Sequence, residues 1–174
     1  RKPLVICTPK GLLRHPQCVS KRDDFTEGKF EEIIDDPTQP KTPKQLVFCS
    51  GRIYYDLIAT RKSRNATEEI AIVRIEQLYP LNTTRIAALI KKYESATKIT
   101  WAQEEPSNMG AWNYIRPYIQ ELLNSKTKLH YIGRAQSVSP ATGSHSLHDL
   151  QLDQLIDALF GNQHTSAIEV INER

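Results

Sequence analysis

The chain has 174 residues, 39% of them hydrophobic and 25% charged, with a net charge of +3. That length suits one domain, or one domain and a short piece of a neighbour, with the composition of an ordinary soluble protein. So small a charge, with basic residues scattered among nearly as many acids, argues against a nucleic-acid partner, and no apolar run approaches the ~18 residues of a membrane span.

The sequence opens on Arg1 rather than methionine, which points to a fragment of a larger chain, and it carries no secretory signal. Residues 3–7 are a short apolar run closed by Thr8-Pro9-Lys10, with a brief helical turn at Leu12-Leu13-Arg14. Residues 16–24 are polar. Residues 30–34 can add an extra strand, and residues 35–44 hold Pro37, Pro40 and Pro43, a density that resists helix and central strand and predicts an exposed connector.

Beyond Lys44 a rhythm sets in. Leu46-Val47-Phe48-Cys49 is an apolar strand, Ser50-Gly51 a turn, and residues 52–65 a helix with Tyr54, Leu57 and Ile58 on one side. Residues 70–73 form the next strand. Ile86, Leu89, Ile90 and Tyr93 have the i, i+3, i+4, i+7 spacing of an amphipathic helix, for which Asn82 is a suitable N-cap. A strand at 99–102 precedes a helix carrying Trp112, Ile115, Ile119, Leu122 and Leu123 inward, with Pro117 expected to kink it or restrict its start. A last strand covers 129–132, residues 139–144 are a loop, and a final helix puts Leu152, Leu155, Ile156 and Leu159 on one stripe. The residues after Gly161 read as a polar, loose tail. Apolar strands alternating with amphipathic helices predict a three-layer α/β/α fold around a mostly parallel sheet of about five strands.

Candidate chemistry is sparse. Gly-x-Gly-x-x-Gly and the Walker loop are both absent, and no Ser or Cys sits in a nucleophile elbow. Ser50-Gly51-Arg52 joins a strand to a helix N-terminus, where free N–H groups and a guanidinium suit an anion; from this stretch alone a simple N-cap with a solvated arginine is the better reading. Glu104 and Glu105 are adjacent, so they leave a strand in opposite directions and serve better as cap or ion pair than as an acid–base couple. His145 and His148 can share a helix face but have no third ligand nearby in sequence. Cys7, Cys18 and Cys49 are odd in number and far apart, and fit buried, reduced thiols rather than disulfides or a zinc site. Asn65-Ala66-Thr67 matches a glycosylation sequon, a chance match in a chain that reads as intracellular.

Five stretches in order resemble the 2-oxoglutarate dehydrogenase decarboxylase family. They are residues 8–15 (TPKGLLRH), 50–57 (SGRIYYDL), 72–80 (IVRIEQLYP), 101–112 (WAQEEPSNMGAW) and 131–134 (YIGR), the last leading to Ser139-Pro140-Ala141. Gly11 stands where the family usually has Ser, Arg52 where it often has Lys, and Met109 where it usually has Gln. The resemblance implies a large homodimeric parent enzyme that decarboxylates 2-oxoglutarate on thiamine diphosphate and magnesium and passes the succinyl group to the lipoyl arm of a partner acyltransferase, in the tricarboxylic acid cycle. Its metal-binding aspartate and catalytic histidines have no counterpart here. Residues 1–20 would be the exit from a pyrimidine-binding domain, 21–44 a connector, 45–161 a transketolase-type C-terminal domain and 162–174 a flexible tail.

In some members of the family that domain also helps to bind acetyl-CoA as an activator; the matching positions would be Thr8, Arg22, Arg52, Tyr55, Gln103 and Arg134. The expectation is a non-catalytic dimerisation and regulatory domain, with no cofactor or metal held by this chain, in the bacterial cytoplasm or, for a eukaryotic source, the mitochondrial matrix. Two alternatives stand beside it: a self-standing nucleotide- or CoA-binding module, and the equivalent domain of another thiamine-dependent enzyme.

Overall fold

The computed structural model describes residues 2, 3, 5, 10–125, 127–161 and 168–171. It divides into two units, Arg1–Glu31 and Glu32–Arg174. The first holds a 3-10 turn at Lys10–Arg14, where the sequence predicts a helical turn, and a short helix α1 at Arg22–Thr26, at whose start the Asp24 carboxylate accepts the Lys21 N–H at 2.7 Å. None of its described residues is buried, and Leu13, Val19, Phe25 and Phe30 are exposed.

The second unit is built on one sheet. Its strands are β1 Ile33–Ile34, β2 Gln45–Cys49, β3 Ile70–Ile75, β4 Lys98–Pro106, β5 Leu129–Arg134 and β6 Ile168–Ile171, in the order β1-β3-β2-β4-β5-β6. Strands β3, β2, β4 and β5 are mutually parallel, and the edge strands β1 and β6 run antiparallel to their neighbours. Helices α2 Ile53–Ser63 and α5 His145–Leu159 pack on one face of the sheet, α3 Thr83–Lys92 and α4 Trp112–Leu122 on the other. This is the predicted α/β architecture.

Strand alternation decides which helix each side chain meets. Leu46 and Phe48, Ile99 and Trp101, and Leu129 and Tyr131 point to the α3/α4 face, where they join Ile86 and Leu89 of α3 and Trp112, Ile115 and Ile119 of α4 in one core. The strands are apolar on both faces because both are covered. Asn82 caps α3 as predicted, its Oδ1 accepting the Arg85 N–H at 2.9 Å. Helix α4 begins five residues before Pro117 and continues past it. Cys49 is a fully buried thiol whose pKa burial pushes up to about 12, so it is chemically inert at neutral pH. Cys18 is exposed, against the expectation of buried thiols, and Cys7 lies outside the described residues.

Two segments differ from the sequence reading. Residues 168–171, assigned there to a loose tail, form β6 and pair with residues 131–134 of β5. A run of four residues has too little periodicity to announce a strand, but the open edge of β5 supplies unpaired backbone groups for it to bond. Residues 35–44 are likewise more than an exposed connector, since Asp36, Pro40 and Pro43 are buried.

Asp36 is the reason. Its carboxylate, 1% exposed, accepts hydrogen bonds from both terminal guanidinium nitrogens of Arg61, itself 3% exposed, near the end of α2. It also accepts the Ile72 N–H at 2.7 Å, the Thr38 N–H at 2.9 Å and the Thr38 hydroxyl at 2.6 Å, while Arg61 donates to the Ile70 carbonyl at 2.9 Å. Burial by itself raises the carboxyl pKa. The bonds from Arg61, Thr38 and Ile72 outweigh it and hold Asp36 below its ordinary value of 3.8.

Replacing Asp36 by Ala strands a buried guanidinium and should lower unfolding stability by about 3–5 kcal/mol in urea melts. Because the folded-state pKa is depressed, the contribution is present above pH 3.8 and is lost as pH falls through the folded value. Stability of Asp36→Asn should therefore change less steeply with pH below 3.8 than that of the unmodified chain.

Candidate functional site

The crossover after β2 carries the chain to β3 on one side, and the one after β4 carries it to β5 on the other. The carboxyl ends of β2 and β4 therefore flank a topological switch point, the usual ligand crevice of an open α/β sheet. A cleft of about 430 Å³ lies there, lined by Ser50 and Gly51 after β2, Leu78 and Tyr79 after β3, Trp101, Gln103 and Glu105 of β4, and Gly110, Ala111 and Tyr114 at the start of α4.

Gln103 shapes this cleft. It is 3% exposed, and its amide is wholly committed to the protein. The Oε1 atom accepts the Trp101 indole N–H at 2.9 Å and the Trp112 backbone N–H at 3.0 Å. The Nε2 atom donates to the carbonyls of Met109 at 2.8 Å and of Glu105 and Pro106 at 3.2 Å. One side chain thus folds the loop between β4 and α4 back on itself. Gly110 closes the turn at φ +66°, and a Cβ there would lie 2.9 Å from the Gln103 amide nitrogen. The contact at Met109 is made by its backbone, so a side chain other than Gln at that position does not disturb it.

The opposite face of the same strand carries a charged corner. Arg52 stands at the N-cap of α2 with its side chain 45% exposed and its Nε 4.0 Å from Asp56 Oδ2. Glu104 lies nearby on β4, and a small hollow beside it is lined by Arg134, His148, Gln151, Leu152 and Leu155. Burial raises the Glu104 pKa; the charges of Asp56 and Glu105 add to the rise, and those of Arg52 and His148 oppose it. Arg134 donates through Nε to the Glu104 carbonyl and through Nη2 to the Pro140 carbonyl at 2.7 Å. Glu104 and Glu105 therefore serve opposite faces, as adjacent strand residues should.

Arg52 and Arg134 thus both gather around Glu104. Tyr55 is buried at the first turn of α2, its hydroxyl accepting from Arg74 Nη1 at 2.9 Å. Gln103 points to the other face, where none of its amide hydrogens is left for a ligand. Arg22 is an exposed residue of the first unit, and Thr8 lies outside the described residues. His145 is exposed while His148 lines the hollow. Among the described residues no group of three or more His, Cys, Asp or Glu is placed to hold a metal ion.

Sequence reasoning missed the setting of Arg74. This arginine, near the carboxyl end of β3, lies 4.6 Å from the Tyr54 ring and 5.6 Å from the Tyr55 ring, with its Nε 2.7 Å from Glu76. A charged residue inside the apolar run 70–75 was the available signal.

The 2-oxoglutarate dehydrogenase C-terminal family matches residues 19–160. The chain belongs to that family. It is 46% identical over 162 residues to the 2-oxoglutarate dehydrogenase E1 component of Cupriavidus necator, covering 92% of this chain and 17% of that protein. It is 43% identical over 162 residues to the oxoglutarate dehydrogenase of Buchnera aphidicola, with 91% and 18% covered. It is also 43% identical over 170 residues to the mitochondrial 2-oxoglutarate dehydrogenase of Dictyostelium discoideum, with 92% and 17% covered. The chain spans less than a fifth of these relatives' length. A solved structure described as a split-gene transketolase, inactive β4 tetramer, superposes with a TM-score of 0.53 at 13% identity over 76% of this chain and 43% of that one, a likeness of fold alone.

The switch-point cleft is lined by one carboxylate, that of Glu105, and by no lysine or arginine. No described helix is long and apolar enough to cross a membrane.

The Gln103 clamp generates a prediction about this family domain. Gln103→Leu leaves the Trp101 indole N–H, the Trp112 backbone N–H and the Met109 carbonyl without their partner, and should lower stability by roughly 2–4 kcal/mol. Amide hydrogen exchange in residues 105–112 should accelerate more than elsewhere in the second unit.

Proposed function

We propose that this chain is a non-catalytic dimerisation and regulatory domain of a 2-oxoglutarate dehydrogenase decarboxylating component, and that its charged corner binds the phosphates of acetyl-CoA. The whole enzyme decarboxylates 2-oxoglutarate on thiamine diphosphate and magnesium held by its other domains, and succinylates the lipoyl group of an acyltransferase partner. It works in the bacterial cytoplasm, or in the mitochondrial matrix where the source is eukaryotic.

The observation that carries the regulatory part is that Arg52, at the N-cap of α2, and Arg134, on β5, both lie near Glu104 of β4. Arg52 is 45% exposed and its nearest carboxylate, Asp56, is 4.0 Å away, so its charge remains accessible to an anion. Arg52 stands at the N-cap of α2, the end of a helix where the backbone dipole favours a negative charge. Arg134 is held by two carbonyls, which neutralise none of its charge. Gln103 acts by shaping the loop and Tyr55 by fixing Arg74, while Arg22 and Thr8 are matching family positions in the first unit.

Calorimetric titration of acetyl-CoA into the chain tests this reading. Saturable binding is expected, weakened about tenfold in Arg52→Ala, in line with the loss of one charge-assisted contact. No heat with the unmodified chain, or equal affinity in Arg52→Ala, rejects the anion site. The chain should not release carbon dioxide from 2-oxoglutarate when supplied with thiamine diphosphate and magnesium; turnover would reject the non-catalytic assignment.

A further inference from the structure

The switch-point cleft and the Arg74 cluster have matching chemistry with one component missing. Around Arg74 the protein assembles two tyrosine rings and a carboxylate: Tyr54 at 4.6 Å, Tyr55 at 5.6 Å and Glu76 at 2.7 Å from the guanidinium. The cleft offers the rings of Tyr79 and Tyr114 with the carboxylate of Glu105, and no lysine or arginine lines it. Among the described residues Glu105 has no ion-pair partner, and Tyr79 is 83% exposed.

The rest of the wall narrows the choice of ligand. Gln103 and the Trp101 N–H are consumed by each other and by the loop, so Trp101 contributes only apolar surface. Leu78 and Ala111 extend that surface. An anion would meet Glu105, and a neutral apolar group would leave its charge uncompensated. A planar cation on an apolar stem satisfies all three features at once: the stem lies on Leu78 and Trp101, the tyrosine faces stack on the cation, and Glu105 accepts its hydrogen bonds.

We infer that the switch-point cleft receives an arginine side chain presented by another polypeptide segment. Charge complementarity and the protein's own arrangement around Arg74 identify the occupant as guanidinium. This site is separate from the charged corner at Arg52, which lies on the opposite face of β4, so neither reading depends on the other.

The test is a titration of the ¹⁵N-labelled chain with acetyl-Gly-Arg-Gly-amide and with the same peptide carrying citrulline, the uncharged isostere of arginine. The arginine peptide should shift the amides of Gly51, Gly110 and Ala111 saturably and bind about fivefold more tightly than the citrulline peptide. Glu105→Gln should abolish that preference by weakening only the arginine peptide. The Glu105 backbone carbonyl, which accepts from Gln103 and Tyr131, is untouched by this change, and unshifted amides elsewhere verify the fold. Tyr114→Phe should retain binding and Tyr114→Leu should weaken it. Equal affinity for the two peptides, an unchanged preference in Glu105→Gln, or no shift at any accessible concentration overturns the inference.

Discussion

The buried pair of Asp36 and Arg61 holds the amino end of the sheet in a single arrangement. Three pieces of chain far apart in sequence meet there: the segment leading to β2, the last turns of α2, and the start of β3. The carboxylate reads the Ile72 N–H while the guanidinium reads the Ile70 carbonyl, so β3 has one permitted register against both. A slip by one residue would break these bonds and leave two charges in a dry interior, where neither can be left unpaired. An apolar pair of equal volume would have filled the same space without specifying that register.

With the amino end fixed in this way, the carboxyl ends of the strands can be shaped for binding. Gln103 plays there the part that Asp36 plays at the other end: a buried polar group with every hydrogen-bonding atom used. The loop it secures carries Gly110 and Ala111 to one side of the cleft and lets α4 start with its Trp112 N–H satisfied. Gly133 completes the arrangement, because a Cβ on it would come within 2.9 Å of the Gln103 carbonyl oxygen. Rigid walls of this kind hold the lining of a site in one geometry.

The two faces of β4 divide the recognition. Trp101, Gln103 and Glu105 look toward α4 and make an apolar, acidic cleft, while Glu104 looks toward α5 and joins Arg52 and Arg134 in a mixed-charge corner. Adjacent glutamates therefore sit in opposite environments. Glu104 is pushed toward its neutral form by burial, whereas Glu105 remains exposed at the cleft. The anion-binding reading and the arginine-binding reading use these two environments separately.

Periodicity and local chemistry alone determined the parallel strands, the helices between them, the Asn82 cap and the opposite orientation of the two glutamates, because each depends on residues within a few positions of one another. The family too was legible in five short strings along the chain. The strand β6 was not, since its four residues acquire structure only from the open edge of β5. Nor was the burial of Asp36, whose charge is tolerable only because Arg61, 25 residues away, folds against it. The cleft could not be read either: Tyr79, Glu105 and Tyr114 belong to different segments, and only the crossover of the chain at the switch point brings them to one place. Local sequence specifies elements through short-range sterics and hydrogen bonding, whereas long-range charge compensation and shared cavities exist only once the sheet order is set.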